Sequence, residues 1–383
     1  MNNFSFFNPV KIIFGKRTIA QLTDEIPVQA KVLLVYGGGS IKANGVYQQV
    51  TEALKHHTLY EFSGIEANPT YETSLQAIEL IKQEGIDFIL AAGGGSVIDA
   101  AKFMALGSQA EGDPWDILSK GTYPEKALPL GTILTLPATG SEMNDRAVIS
   151  YTAIQEKRAF RTPLVYPRFS ILDPVVTYSL PIRQVANGVV DTFVHTTEQY
   201  LTFPVNAQVQ DRFAESLLKI LVDLGEQALR KPEDYDVRAN LMWASTWALN
   251  GWIGQGVPED WATHQIGHEL TAFYGLDHAQ TLAIVLPGVL HTQFEHKTDK
   301  LIQLGERVFN LTEGNREERA KATIDAIEAF FNRMGVGTRL SDYGLGEEVP
   351  GKIANRLRER GWVLGEHQCI TADVVENLLR SRR

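Results

Sequence analysis

Asp87-Phe88-Ile89-Leu90-Ala91-Ala92-Gly93-Gly94-Gly95-Ser96-Val97-Ile98-Asp99-Ala100-Ala101-Lys102 is the stretch that decides the fold of this chain. A short apolar run ends in three glycines, and a helix-like pattern of small and aliphatic residues follows. An apolar run bounded by a turn reads as a fully buried strand. Glycines at such a turn let the backbone bend tightly and approach a ligand without a Cβ in the way. A helix starting there presents free N–H groups that favour an anion, and the pyrophosphate of a dinucleotide is the natural guest. The stretch lacks the usual Gly-x-Gly-x-x-Gly fingerprint, and no Gly-Lys-Ser/Thr follows, so it is not a P-loop.

The same texture extends outward. Lys31 to Tyr36 is an apolar run closed by Gly37-Gly38-Gly39-Ser40, and Gly131 to Leu136 is another, closed by Pro137-Ala138-Thr139-Gly140-Ser141-Glu142. A helical pattern, Tyr71 to Glu84, separates the first two strands. Buried strands alternating with helices predict a parallel sheet in an α/β domain, with ligands at the strand ends. The first glycine turn also bears on the choice of dinucleotide. NAD sites commonly use a carboxylate on the ribose 2′-hydroxyl, and a 2′-phosphate requires its absence. Residues 37–40 hold no carboxylate, and their N–H groups with the Ser40 hydroxyl suit a phosphate, which favours NADP.

Beyond Asp173-Pro174 and Leu180-Pro181 the strand-like runs stop. Helical patterns take over at Arg183 to Tyr200, Gln208 to Leu229, Val237 to Trp252, Trp261 to Tyr274 and Arg316 to Met334. The expectation is an α/β Rossmann-like domain over 1–180 and an all-helical domain over 181–383. Bulk composition agrees: 383 residues exceed one ordinary core, and 44% hydrophobic with 21% charged residues marks a folded, soluble chain. A net charge of −10 excludes the basic footprint that nucleic acid requires. The single cysteine, Cys369, excludes an internal disulfide and a Cys-based zinc site. The N-terminus lacks the pattern of a signal peptide, and no apolar run is long enough to span a membrane, so the cytoplasm is the expected location.

The helical half carries the metal chemistry. Asp191 and His195 stand four apart, a spacing that puts both on one helix face. His264 and His268 repeat the spacing, and His278 follows Gly275, a helix stop. Imidazoles and one carboxylate suit zinc or iron, and a catalytic site keeps one coordination position open. His268-Glu269 invites comparison with the His-Glu-x-x-His zinc-protease motif, but Ala272 occupies the second His position. Spacing alone leaves five candidates and does not select among them. Trp243, Trp247, Trp252 and Trp261 surround this segment; they either wall an apolar pocket or pack helices.

Taken together, Gly94-Gly95-Ser96 with Asp99, the Thr-Gly-Ser-Glu turn at 139–142, Asp191 with His195, and His264, His268 and His278 resemble the iron-containing (group III) alcohol dehydrogenase family. The segments Gln184 to Asp191 and Leu276 to Leu282 look like its branch of bacterial NADPH-dependent broad-range aldehyde reductases and butanol dehydrogenases. The resemblance covers essentially the whole chain. It implies an N-terminal dinucleotide-binding domain, a helical C-terminal domain and a cleft between them. It also implies one divalent metal ion, Fe²⁺ or Zn²⁺, on Asp191, His195, His264 and His278, with His268 left to relay a proton. Cofactor contacts carry over to Gly37, Gly38, Gly39, Ser40, Asn68, Gly94, Gly95, Ser96, Asp99, Thr135, Thr139, Asn144 and Lys157. The implied reaction is hydride transfer between NADP(H) and a short- to medium-chain aldehyde or alcohol, in a homodimer. Many family members carry Ala-Gly before Thr-Gly-Ser-Glu, where this chain has Pro137-Ala138, and many follow the last ligand His with Gly, here Ala279. Both departures resemble the aldehyde-reductase branch. The rivals are an NAD-dependent polyol dehydrogenase and a sugar-phosphate cyclase, and the latter needs a Lys/Arg cluster that is not seen near the histidines. From a different class, a non-catalytic nucleotide- or metal-binding protein is disfavoured because both half-sites look intact.

Overall fold

The computed structural model describes all 383 residues, Met1–Arg383. Eight strands form: β1 (Lys11–Phe14), β2 (Lys31–Tyr36), β3 (Thr58–Phe62), β4 (Phe88–Gly94), β5 (Leu130–Leu136), β6 (Arg146–Tyr151), β7 (Glu156–Arg161) and β8 (Phe169–Leu172). Six helices lie among them: α1 (Leu22–Glu25), α2 (Ser40–Ala43), α3 (Val46–Ala53), α4 (Tyr71–Glu84), α5 (Gly95–Gly107) and α6 (Asp116–Ser119). Nine more follow: α7 (Ile182–Tyr200), α8 (Gln208–Arg230), α9 (Tyr235–Ala248), α10 (Ala262–Tyr274), α11 (His278–Thr292), α12 (Phe294–Phe309), α13 (Arg316–Arg333), α14 (Glu348–Arg360) and α15 (Ala372–Ser381). No helix is long and apolar enough to cross a membrane.

The chain divides into two compact units. One comprises Phe7–Pro181 and Pro232–Thr246. Its sheet runs β1-β8-β5-β4-β2-β3, every pairing parallel. The near-continuous apolar strands follow from burial on both faces. Leu33, Val35, Ile89 and Ala91 join the α4–α5 side, while Val32, Leu34, Leu90 and Ala92 join the α1–α3 side. After β3 the chain crosses over β2 to form β4, so the order reverses between β2 and β4. Ligands of open α/β sheets bind at such a point. Tyr36 pairs with Ala92 in register, so both glycine turns leave the sheet side by side.

The other unit comprises Met1–Phe6, Ile182–Lys231 and Trp247–Arg383, and it is helical. Helix α7 is its spine, buried at every position from Val185 to Tyr200. Such a helix must satisfy its polar groups internally. The hydroxyls of Thr192, Thr196 and Thr197 each donate to the carbonyl four residues back. Phe193 packs against Phe309, Phe330 and Phe331.

A single boundary at 180 differs from the two units in two places. Residues 1–6 belong to the helical unit, and residues 232–246 return to the α/β unit. Met242 enters its core, Trp243 packs edge-on against Phe14, and the Thr246 hydroxyl donates to Glu142 Oε1 at 2.5 Å. Helical periodicity identifies a helix; it carries no information about which core receives the apolar face.

Candidate metal centre and dinucleotide site

Three helices bring the metal candidates together within the helical unit. Asp191 and His195 lie on α7, His264 and His268 on α10, and His278 opens α11. Gly275, at φ 68°, ends α10 in the left-handed region, and Leu276-Asp277 completes the reversal into α11. Asp277 Oδ2 then accepts from Arg183 at 2.7 Å and from Asn187 at 2.9 Å, tying the start of α11 to the start of α7. That tie sets His278 beside Asp191, with Nε2 3.8 Å from Oδ1.

Asp191, His195, His264 and His278 each offer a ligand atom, and all four atoms lie within 4.8 Å of one another. The first three are buried and His278 is half-buried. His195 Nδ1 lies 2.9 Å from the Asp191 carbonyl oxygen. A carbonyl only accepts, so Nδ1 holds the proton and Nε2 keeps its lone pair. His264 Nδ1 meets the Glu198 carboxylate, which in its ionised form likewise only accepts, so that Nε2 keeps its lone pair. The two Nε2 atoms nevertheless face each other at 3.0 Å. Two lone pairs aimed into one space, beside a buried carboxylate, suit a cation there. The donor set fits a divalent metal with imidazole and carboxylate preference.

His268 stands outside this quartet. Its ring centroid is 5.4 Å from His278 and 6.2 Å from His264, and it is half-buried. Of the four tryptophans, Trp261 stands edge-on to His264 at 5.2 Å. Trp247 and Trp252 pack on Phe213, and Trp243 on Phe14, so most are packing residues.

The dinucleotide candidates line the strand ends of the α/β unit. A Cβ on Gly38 or Gly39 would meet nothing within 4 Å, so these backbone groups are open to a ligand. Gly95 differs, because a Cβ there would collide with the Thr139 side chain. The α5 N-terminus and the Thr139 turn thus share one ledge, beside Thr135 at the end of β5. The Ser96 hydroxyl donates to the Ala67 carbonyl, and Lys157 Nζ donates to Asn68 Oδ1 at 3.0 Å. Lys157 reaches Asn68 because the β6–β7 hairpin folds back, with Ser150 bridging Thr70. Asp99 and Asn144 are engaged within the protein. Asp99 accepts from the Ser141 hydroxyl at 2.6 Å and from Val148 N–H at 2.9 Å. Asn144 Oδ1 accepts from Lys102 at 2.8 Å.

Sequence reasoning missed three groups. Glu198 continues the Asp191/His195 face by three residues, a spacing that could have marked it. Lys102 is fully buried and donates to the carbonyls of Asn144 and Arg146. Burial pushes its ammonium down to about 8, against the pull of Asp99. Glu61 lies on β3 in register with Leu34 and brings a carboxylate near the first glycine turn. It accepts from the hydroxyls of Tyr36 and Tyr47 and pairs with Lys42 at 3.6 Å.

The chain matches the family model for iron-containing alcohol dehydrogenase over residues 9–174 and that for the Fe-containing alcohol dehydrogenase family, C-terminal, over 185–382. This chain belongs to the iron-containing alcohol dehydrogenase family. Among relatives, it is 54% identical to the NADPH-dependent aldehyde reductase YqhD of Escherichia coli (strain K12), with 100% of both chains covered. It is 40% identical to the probable NADH-dependent butanol dehydrogenase 1 of Bacillus subtilis (strain 168), again over 100% of both. The crystal structure of E. coli K-12 YqhD superposes with a TM-score of 0.98 at 52% identity, covering 100% of this chain and 99% of the other. Both the α/β and the helical unit thus have counterparts in that structure.

Proposed function

We propose that this protein is a metal-dependent NADP(H) alcohol dehydrogenase and aldehyde reductase. The observation that carries the reading is the convergence of Asp191, His195, His264 and His278, with the facing Nε2 atoms of His195 and His264. The NADPH named for the 54%-identical relative supports the choice of nucleotide, together with the carboxylate-free turn at 37–40. Glu61 does not oppose it, because its oxygens are committed to Lys42, Tyr36 and Tyr47.

When bound, a divalent cation supplies Lewis-acid polarisation of a substrate oxygen, and the nicotinamide supplies or takes the hydride. The chain's own residues do the rest. Asp191, His195, His264 and His278 hold the cation, and the Asp191 carbonyl and Glu198 fix the imidazole tautomers. His268 moves the proton between the substrate oxygen and solvent. Gly37 to Ser40, Gly94 to Ser96, Thr135 and Thr139 receive the nucleotide through backbone N–H and hydroxyl groups, with Lys157 and Asn68 across from them. Asp99 and Asn144 brace that surface from within. The cofactor belongs to the α/β unit and the metal to the helical unit. A short- to medium-chain aldehyde is the substrate, and the cytoplasm and a homodimer complete the proposal.

The test is NADPH oxidation with short aldehydes before and after chelation. Activity should vanish on chelation and return with Fe²⁺ or Zn²⁺. Full turnover in verified metal-free protein would reject the metal role, and equal or better use of NADH would reject the NADP preference.

A further inference from the structure

Glu198 does more than hold two helices together. It lies on α7, 4% exposed, with both carboxylate oxygens directed at the start of α10. Oε1 accepts the Thr263 N–H at 2.7 Å and, more weakly, the His264 N–H at 3.4 Å. These are among the first N–H groups of the helix, which have no partner within it. Oε2 faces His264 Nδ1. The peptide next to this junction is itself fixed. The Glu198 carbonyl accepts the Asp260 N–H at 2.9 Å, and Asp260 pairs at 2.9 Å with Lys297, which is 3% exposed.

We infer that Glu198 is the positioning residue that selects the metal-binding tautomer of His264. The inference rests on the reading of His264 as a ligand. Only a group that accepts at both oxygens satisfies the site. One oxygen must take backbone N–H groups, and the other must take the proton on His264 Nδ1, so that Nε2 presents a lone pair. Glutamine has nearly the same shape but one acceptor. If its oxygen serves the helix terminus, its NH₂ donates to Nδ1. The imidazole proton then moves to Nε2, and an Nε2 that carries a proton cannot ligate. If the amide turns over, two donors meet at the Thr263 N–H, and the start of α10 is pushed away. Either way the isosteric change strikes the metal.

A helix-packing role predicts the opposite ranking, since Glu198→Gln preserves volume while Glu198→Asp shortens the side chain. The experiment titrates Co²⁺ into wild type, Glu198→Gln and Glu198→Asp in the presence of a competing chelator. It reads the visible d–d spectrum and the dissociation constant. Unfolding melts of the chelated proteins check that each variant folds. Changing an outer partner of a ligating histidine typically costs about 10–100-fold in metal affinity. Glu198→Gln should therefore lose about that much Co²⁺ affinity, and Glu198→Asp should retain more of it. A Glu198→Gln variant that folds and binds Co²⁺ as wild type does overturns the inference, as does a Glu198→Asp variant that binds more weakly than Glu198→Gln. Failure of wild type to take up one Co²⁺ would instead remove the ligand assignment on which the inference stands.

Discussion

His268 sits one turn beyond His264 on α10, and this single spacing is ambiguous between a ligand and a proton carrier. Its ring reaches His278 at 5.4 Å between centroids, yet its nitrogens are outside the group of four donors. His268→Ala should lower kcat by about a hundredfold, the lower end of what a positioned acid or base contributes. Metal content, measured by elemental analysis, should stay unchanged; its loss would make His268 a ligand. At this scale the sequence shows residue types and local spacing. Asp191 and His195 are legible because both lie on one helix. Glu198 was not read as a partner of His264, because the two are 66 residues apart and meet only when α7 packs beside α10.

Among elements, the turns at the ends of β2, β4 and β5 are legible, because buried strands, glycines and helix starts are local patterns. The β6–β7 hairpin is not. Arg146, Arg158 and Arg161, on the less buried side of the hairpin, and the buried Lys157 interrupt the apolar alternation that marks a strand. The hairpin is fastened to α5 by Lys102, whose ammonium reaches the Arg146 carbonyl at 2.8 Å. Burial holds that ammonium at about 8, below its ordinary 10.5. Below pH 8 it is charged whether folded or unfolded, so the burial cost is fully present. Between about 8 and 10.5 the unfolded chain binds a proton that the folded one has released. Lys102 therefore makes stability rise with pH across that window. Denaturant unfolding from pH 7.5 to 10.5 should show this slope in wild type and a flatter one in Lys102→Met. Parallel profiles would place the titration elsewhere.

For the whole molecule, each half-site is contained in one compact unit: the four metal donors in the helical unit and the glycine turns in the α/β unit. Ligands protect what they bind, so hydrogen exchange should separate the two halves. Co²⁺ should slow exchange in α7, α10 and the first turn of α11, while NADPH should slow it at 37–43 and 93–100. Metal-induced protection centred on the glycine turns would contradict this division. The sequence by itself determined the parallel α/β half, the helical half, the three polar strand ends and the donor types, because strand and helix periodicities are written in residues two to four apart. The resemblance already left His268 out of the four donors, and the structure brings those four together; tertiary structure alone decided which carboxylate faces His264 and that residues 232–246 return to the α/β core. Those outcomes depend on packing between segments distant in the chain, where local periodicity carries no information.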